Sequence, residues 1–194
     1  MSKSFPIAYA ALHPRTDLEP KLLPVRDILE RMPYRAIEIV GSNSIRLHVL
    51  DAGERYYDAC GALRRLNVAV DAWPVPPAGL FVVEDRTLYL RSTSPMTVAH
   101  EFGHALDCAF GGGVYRSGYD SDIRKAFAAA KDFVTPYAAA GLDEYFAECF
   151  RAYIEVNEAG CRWPTVTREK LVLHSPQMLD WFEREIGEVR SAVA

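Results

Sequence analysis

Apolar positions change spacing along this chain, and the changes mark its elements. Residues 1–20 are proline-rich and lack a sustained period, so they read as an irregular lead-in. Residues 24–32 carry Val25, Ile28, Leu29 and Met32 at helical spacing, and Pro33 stops the run. Two strand-like segments follow, Ala36–Val40 and Ile45–Leu50, joined by the turn signal Gly41-Ser42-Asn43-Ser44. In the second, Ile45, Leu47 and Val49 alternate with Arg46 and His48, which assigns His48 to an outward face. Gly53–Leu66 reads as a helix, 67–75 as holding a short strand, and Pro74, Pro76 and Pro77 as an extended loop. Gly79–Arg91 reads as a β-hairpin with its turn at Glu84–Thr87.

From here the period is helical. Ser94 is a suitable N-cap and Pro95 a suitable first residue for a helix whose apolar stripe is Val98, Phe102, Ala105, Leu106 and Ala109. Gly111-Gly112-Gly113 ends it. Further helices are expected at Ser121–Val134, Leu142–Val156 and Pro176–Val189. Thr135-Pro136 breaks the first, 137–141 is a loop, and 157–175 is irregular. Strands first and helices afterwards imply an α+β fold: a small mixed sheet, then a helical half, with 21–194 as a single domain.

Composition narrows the function. The 194 residues are 49% hydrophobic and 25% charged, with a net charge of −4 and a pI near 5.7. No basic patch supports nucleic-acid binding, and no apolar run approaches the ~20 residues of a membrane span. The segment Met1–Pro14 lacks the basic start and apolar core of a signal peptide, so the protein is expected to be made in the cytoplasm, with signal-independent export left open. Cys60, Cys108, Cys149 and Cys161 form no C-x-x-C pair and read as reduced, mostly buried thiols.

The candidate chemistry lies on the central helix, where His100-Glu101-Phe102-Gly103-His104 reads H-E-x-x-H. Positions i and i+4 share a helix face, so both imidazoles reach one metal ion with the carboxylate between them. A catalytic zinc takes three protein ligands and keeps one position open. Downstream candidates are Asp107, Cys108, His174 and the pair Glu144 and Glu148. The pair suits best: it shares one face of a helix rich in Tyr145, Phe146, Phe150 and Tyr153, where buried charge demands partners. Gly103 suggests close packing or room beside the metal. The preceding hairpin offers an edge to which an extended peptide could add.

The segment His100–Asp107, H-E-F-G-H-A-L-D, resembles the H-E-F-G-H-A-x-D segment of the anthrax lethal factor catalytic domain. Asp143–Arg151, D-E-Y-F-A-E-C-F-R, is similar to its E-[FY]-F-A-E-x-F-R helix, and Tyr137 stands seven residues before Glu144. Small secreted Pro-Pro endopeptidases share the skeleton. The resemblance spans roughly 80–190. It implies a zincin-like fold, a toxin- or effector-like setting, and a gluzincin-type zinc endopeptidase acting on a protein or peptide. It further implies one catalytic Zn2+ held by His100, His104 and Glu144, with Glu148 orienting a ligand histidine. Glu101 is then the general base and Tyr137 the oxyanion donor. The alternative is a non-catalytic protein-interaction domain that retains the site as a structural or vestigial metal centre; a closed structural site would need a fourth ligand from Cys108 or His174.

Overall fold

The computed structural model describes residues 4–161 and 163–187. Four short strands, β1 (Phe5–Pro6), β2 (Arg46–Val49), β3 (Gly79–Val82) and β4 (Thr87–Leu90), form one sheet in the order β1-β2-β4-β3. β2 and β4 are parallel and the other neighbours antiparallel, which leaves β3 on an edge. The helices are α1 (Ile7–Leu12), α2 (Leu23–Leu29), α3 (Tyr34–Ser42), α4 (Tyr56–Ala59), α5 (Gly61–Leu66), α6 (Pro95–Phe110), α7 (Ser121–Ala129), α8 (Leu142–Tyr153), α9 (Arg168–His174) and α10 (Pro176–Ile186). The fold is thus α+β, with a small mixed sheet and a helical second half. None of the described helices is long and apolar enough to cross a membrane.

Helix α6 is the axis of the packing. Its start follows the sequence signals: the Ser94 side chain accepts from the Thr97 N–H, and Pro95 occupies the first turn. One side of α6 meets the sheet and the other meets α8. Gly103 permits that second contact, since a Cβ there would lie 2.8 Å from Ala147 Cα. The glycine therefore faces the neighbouring helix.

Both sheet faces are covered. Leu47, Val49, Phe81, Leu88 and Leu90 join the main core with α6, α8 and α10. Val82 and Tyr89 turn to a smaller cluster with Tyr56, Cys60, Leu63 and Val70. This explains His48, which the alternation assigned to an outward face. It is buried on the second face, 3.1 Å from Glu54 Oε2 and beside the Tyr89 ring.

Other local expectations also change. Ala36–Val40 is helical as part of α3, not a strand. The run Ile37-Glu38-Ile39-Val40 has β-branched character, but Ala36, Ile37 and Val40 form one buried helical face packed near α1 and α6. Cys60 is extended and splits the helix expected at 53–66, its sulfur accepting from the Leu63 N–H to start α5. Within 67–75 there is a single 3-10 turn, Val70–Ala72, instead of a strand. Residues 5–12 contain β1 and α1, and α9 occupies 168–174, inside two stretches expected to be irregular. Helices α7 and α8 end at Ala129 and Tyr153, earlier than the expected Val134 and Val156. Helix α10 ends at Ile186, and the expected end at Val189 lies outside the described residues. All four cysteines are free, with Cys161 exposed and the others buried.

Candidate metal centre and active site

His100 and His104 stand one turn apart on α6, and Glu144 enters from the first turn of α8. Their donor atoms form a small triangle. His100 Nε2 lies 3.1 Å from His104 Nε2 and 3.1 Å from Glu144 Oε2, and His104 Nε2 lies 3.3 Å from Glu144 Oε2. Ligand atoms of a tetrahedral zinc, with bonds of ~2.0–2.1 Å, stand about 3.3–3.4 Å apart. Glu144 Oε2 is buried and makes no aligned hydrogen bond, which is costly for a carboxylate oxygen unless a cation meets it. Two imidazoles and a carboxylate are also the donor set of a catalytic zinc. The residues fit the ion. Among the described residues no fourth His, Cys, Asp or Glu joins the group, so Cys108 and His174 stand apart from it.

The two glutamates of α8 have different surroundings. Glu148 is 2% exposed. Its Oε1 accepts from His100 Nδ1 at 2.9 Å and Arg151 Nε at 3.1 Å. Its Oε2 accepts from Thr135 Oγ1 at 2.7 Å and Arg151 Nη2 at 2.8 Å. Burial by itself raises the Glu148 carboxyl, but the His100 and Arg151 hydrogen bonds outweigh it and hold it below the ordinary range. For Glu144 the two histidines overcome burial in the same direction. Burial lowers His100, yet its close contact with Glu144 and its hydrogen bond with Glu148 win and push it up to about 10. The buried Nδ1 of His104 has no hydrogen-bond partner.

Glu101 is buried between α6 and β3. Gly79 makes this approach possible, because a Cβ there would stand 2.5 Å from Glu101 Cγ and 2.8 Å from Thr97 Cγ2. Burial raises the Glu101 carboxyl, while His100, His104 and the Phe81 backbone N–H oppose the shift. A carboxylate moved upward is better matched to taking and returning a proton near neutral pH. Tyr137 sits on the 3-10 turn Pro136–Ala139, which Thr135 caps by accepting from the Ala138 N–H. Its hydroxyl donates to Glu144 Oε1 at 2.8 Å and its ring lies 5.6 Å from that of His100. At 40% exposure it borders solvent, and Trp163 packs edge-on against it. Asp107 is fully buried and accepts from the Ser117 N–H and Oγ, so it holds the loop after α6 and bonds to neither histidine of the triangle.

The six residues singled out from sequence, His100, Glu101, His104, Tyr137, Glu144 and Glu148, thus gather at one locus. Two neighbours were missed. Thr135 read only as a helix breaker, although Thr-Pro ahead of a turn is a capping signal. Arg151 had a signal too, as a Glu-x-x-Arg pair on an apolar helix.

No family model and no curated protein matches the chain. Among solved structures it is similar to the Pro-Pro endopeptidase PPEP-2 from Paenibacillus alvei, with a TM-score of 0.59 and 18% sequence identity over 92% of this chain and 98% of that one. At that identity the likeness is one of fold. The neighbour is one of the two groups named by the motif resemblance; the likeness to lethal factor rests on the motifs alone.

Proposed function

We propose that this chain is a zinc-dependent endopeptidase, with His100, His104 and Glu144 as metal ligands. The observation that carries the reading is the triangle of three donor atoms 3.1–3.3 Å apart. It is supported by the buried Glu101 carboxyl, which the same two histidines influence electrostatically, and by the fold shared with a Pro-Pro endopeptidase. Bound zinc supplies Lewis-acid polarisation of the scissile carbonyl and makes water a better nucleophile.

The chain's own groups do the rest. Glu101 takes a proton from the attacking water and returns it to the departing amine. Tyr137 turns its hydroxyl from Glu144 towards the oxyanion, a contribution of about 3 kcal/mol for one donor. Glu148 fixes the tautomer and direction of His100. An extended peptide adds to the free edge of β3, beside Glu101. A non-catalytic closed metal site is disfavoured by the absence of a fourth donor among the described residues.

The test is cleavage of a peptide library that includes Pro-Pro bonds, with and without chelator, by the wild type and Glu101→Gln. Chelator-sensitive cleavage is expected from the wild type, with Glu101→Gln retaining stoichiometric zinc but losing turnover. Equal turnover by the variant overturns the role of Glu101. In parallel, Glu144→Ala is expected to lower zinc content far more than Asp143→Ala; the opposite order refutes the ligand assignment.

A further inference from the structure

From the hydrogen bonds around the triangle we infer that Thr135 is a positioning residue that couples the orientation of His100 to that of Glu144. The inference rests on the metal-site reading above. Thr135 is 1% exposed, and its single hydroxyl does two things. It donates to Glu148 Oε2 at 2.7 Å, and it accepts from the Ala138 N–H at 3.2 Å. The first bond holds the carboxylate that receives His100 Nδ1. The second holds the turn carrying Tyr137, whose hydroxyl donates to Glu144 Oε1.

These contacts close a ring. From His100 it runs through Glu148, Thr135, the Pro136–Ala139 turn, Tyr137 and Glu144, and returns across the 3.1 Å gap to His100 Nε2. Thr135 is the one side chain in it that touches both arms. A hydroxyl used as donor and acceptor together has a fixed proton position, so each bond constrains the other. Loss of the hydroxyl leaves Glu148 Oε2 held by Arg151 Nη2 alone and frees the turn from its cap. Both changes loosen donors that must hold a metal.

Thr135→Val removes the hydroxyl at nearly constant shape, and Thr135→Ser keeps it. Zinc affinity is measured by chelator competition, and metal-free stability by denaturant unfolding. Outer-shell changes of this kind cost about 10–100-fold in metal affinity, and that loss is expected for Thr135→Val, with affinity restored in Thr135→Ser. The cobalt-substituted variant is expected to show a changed visible absorption envelope. In a double-mutant cycle with Tyr137→Phe, the Thr135→Val loss is expected to shrink, since one of its two routes is already cut.

Zinc affinity within twofold of wild type, an equal loss in Thr135→Ser, or strictly additive losses with Tyr137→Phe overturns the inference, whatever happens to stability. If Thr135→Val does not fold, Thr135→Ala is judged by the same criteria. Failure of the wild type to bind one zinc overturns the metal-site reading as well, which separates the two failures.

Discussion

Gly103→Ala opposes two well-defined effects at the α6–α8 contact. In an exposed helix the change would add about 1 kcal/mol of stability. Here the new Cβ would stand 2.8 Å from Ala147 Cα and 3.2 Å from Ala147 Cβ and O. The obstacle includes backbone, so no rotamer change relieves it. Restoring ordinary carbon contact requires the helices to separate by at least about 0.6 Å. Overpacking of this sort costs about 1–3 kcal/mol, so the net effect on the metal-free protein is a loss of about 0–2 kcal/mol. The proposed metal site is the sharper reporter. His100 and His104 ride on α6 and Glu144 on α8, and coordination distances tolerate only about 0.2 Å. Zinc affinity should therefore fall by about tenfold or more. The assays are denaturant unfolding without metal and chelator competition for zinc. A variant that gains about 1 kcal/mol, as propensity alone predicts, and binds zinc as the wild type does would refute the close contact and its role in setting the ligands.

Three further substitutions test the buried acids and the arginine that pairs with one of them. Asp107 is raised to about 6, chiefly by burial, so the folded state keeps its proton after the unfolded chain has lost it near 3.8. Stability from this group is full well below pH 3.8 and is lost as pH rises through 6, a decline of about 2 kcal/mol between pH 4 and pH 7 that Asp107→Asn should abolish in unfolding measured at those two pH values. An equal decline in the variant would refute the assignment. Arg151→Met leaves Glu148 buried without its cation and should cost about 3–5 kcal/mol of metal-free stability, whereas Glu148→Gln combined with Arg151→Met should cost less than the two single changes together. Additive losses would mean that the ion pair does not act as a unit.

How far the sequence could be read depended on whether the deciding contact was local. Helix α6 was legible because its cap, first-turn proline, stripe and glycine stop lie within one stretch. The β3–β4 hairpin was legible for the same reason. Helix α3 was not, because a short β-branched run fits two periods and the choice was made by packing near α1 and α6. His48 was misjudged because alternation says which residues share a face, not whether α4 and α5 will cover it. The site followed the same rule. His100 and His104 announce themselves at i and i+4, but Glu148 meets His100 across 48 residues. Thr135 and Arg151 acquire their importance only through that meeting.

The hydrogen bonds also bear on the different tasks proposed for two glutamates one turn apart on the same helix. An ionised carboxylate offers about four lone-pair positions. Glu148 receives four donors, from His100, Thr135 and twice from Arg151, so it has no acceptor capacity left for an ion. Glu144 receives one hydrogen bond, from Tyr137 on Oε1, and its Oε2 is left facing the imidazoles. Charge divides along the same line. Arg151 offsets Glu148, while the carboxylate of Glu144 is left beside two histidines. A cation in the triangle would meet that charge and the free oxygen. What donates to each glutamate, more than its place on α8, separates the proposed ligand from the proposed orienting group.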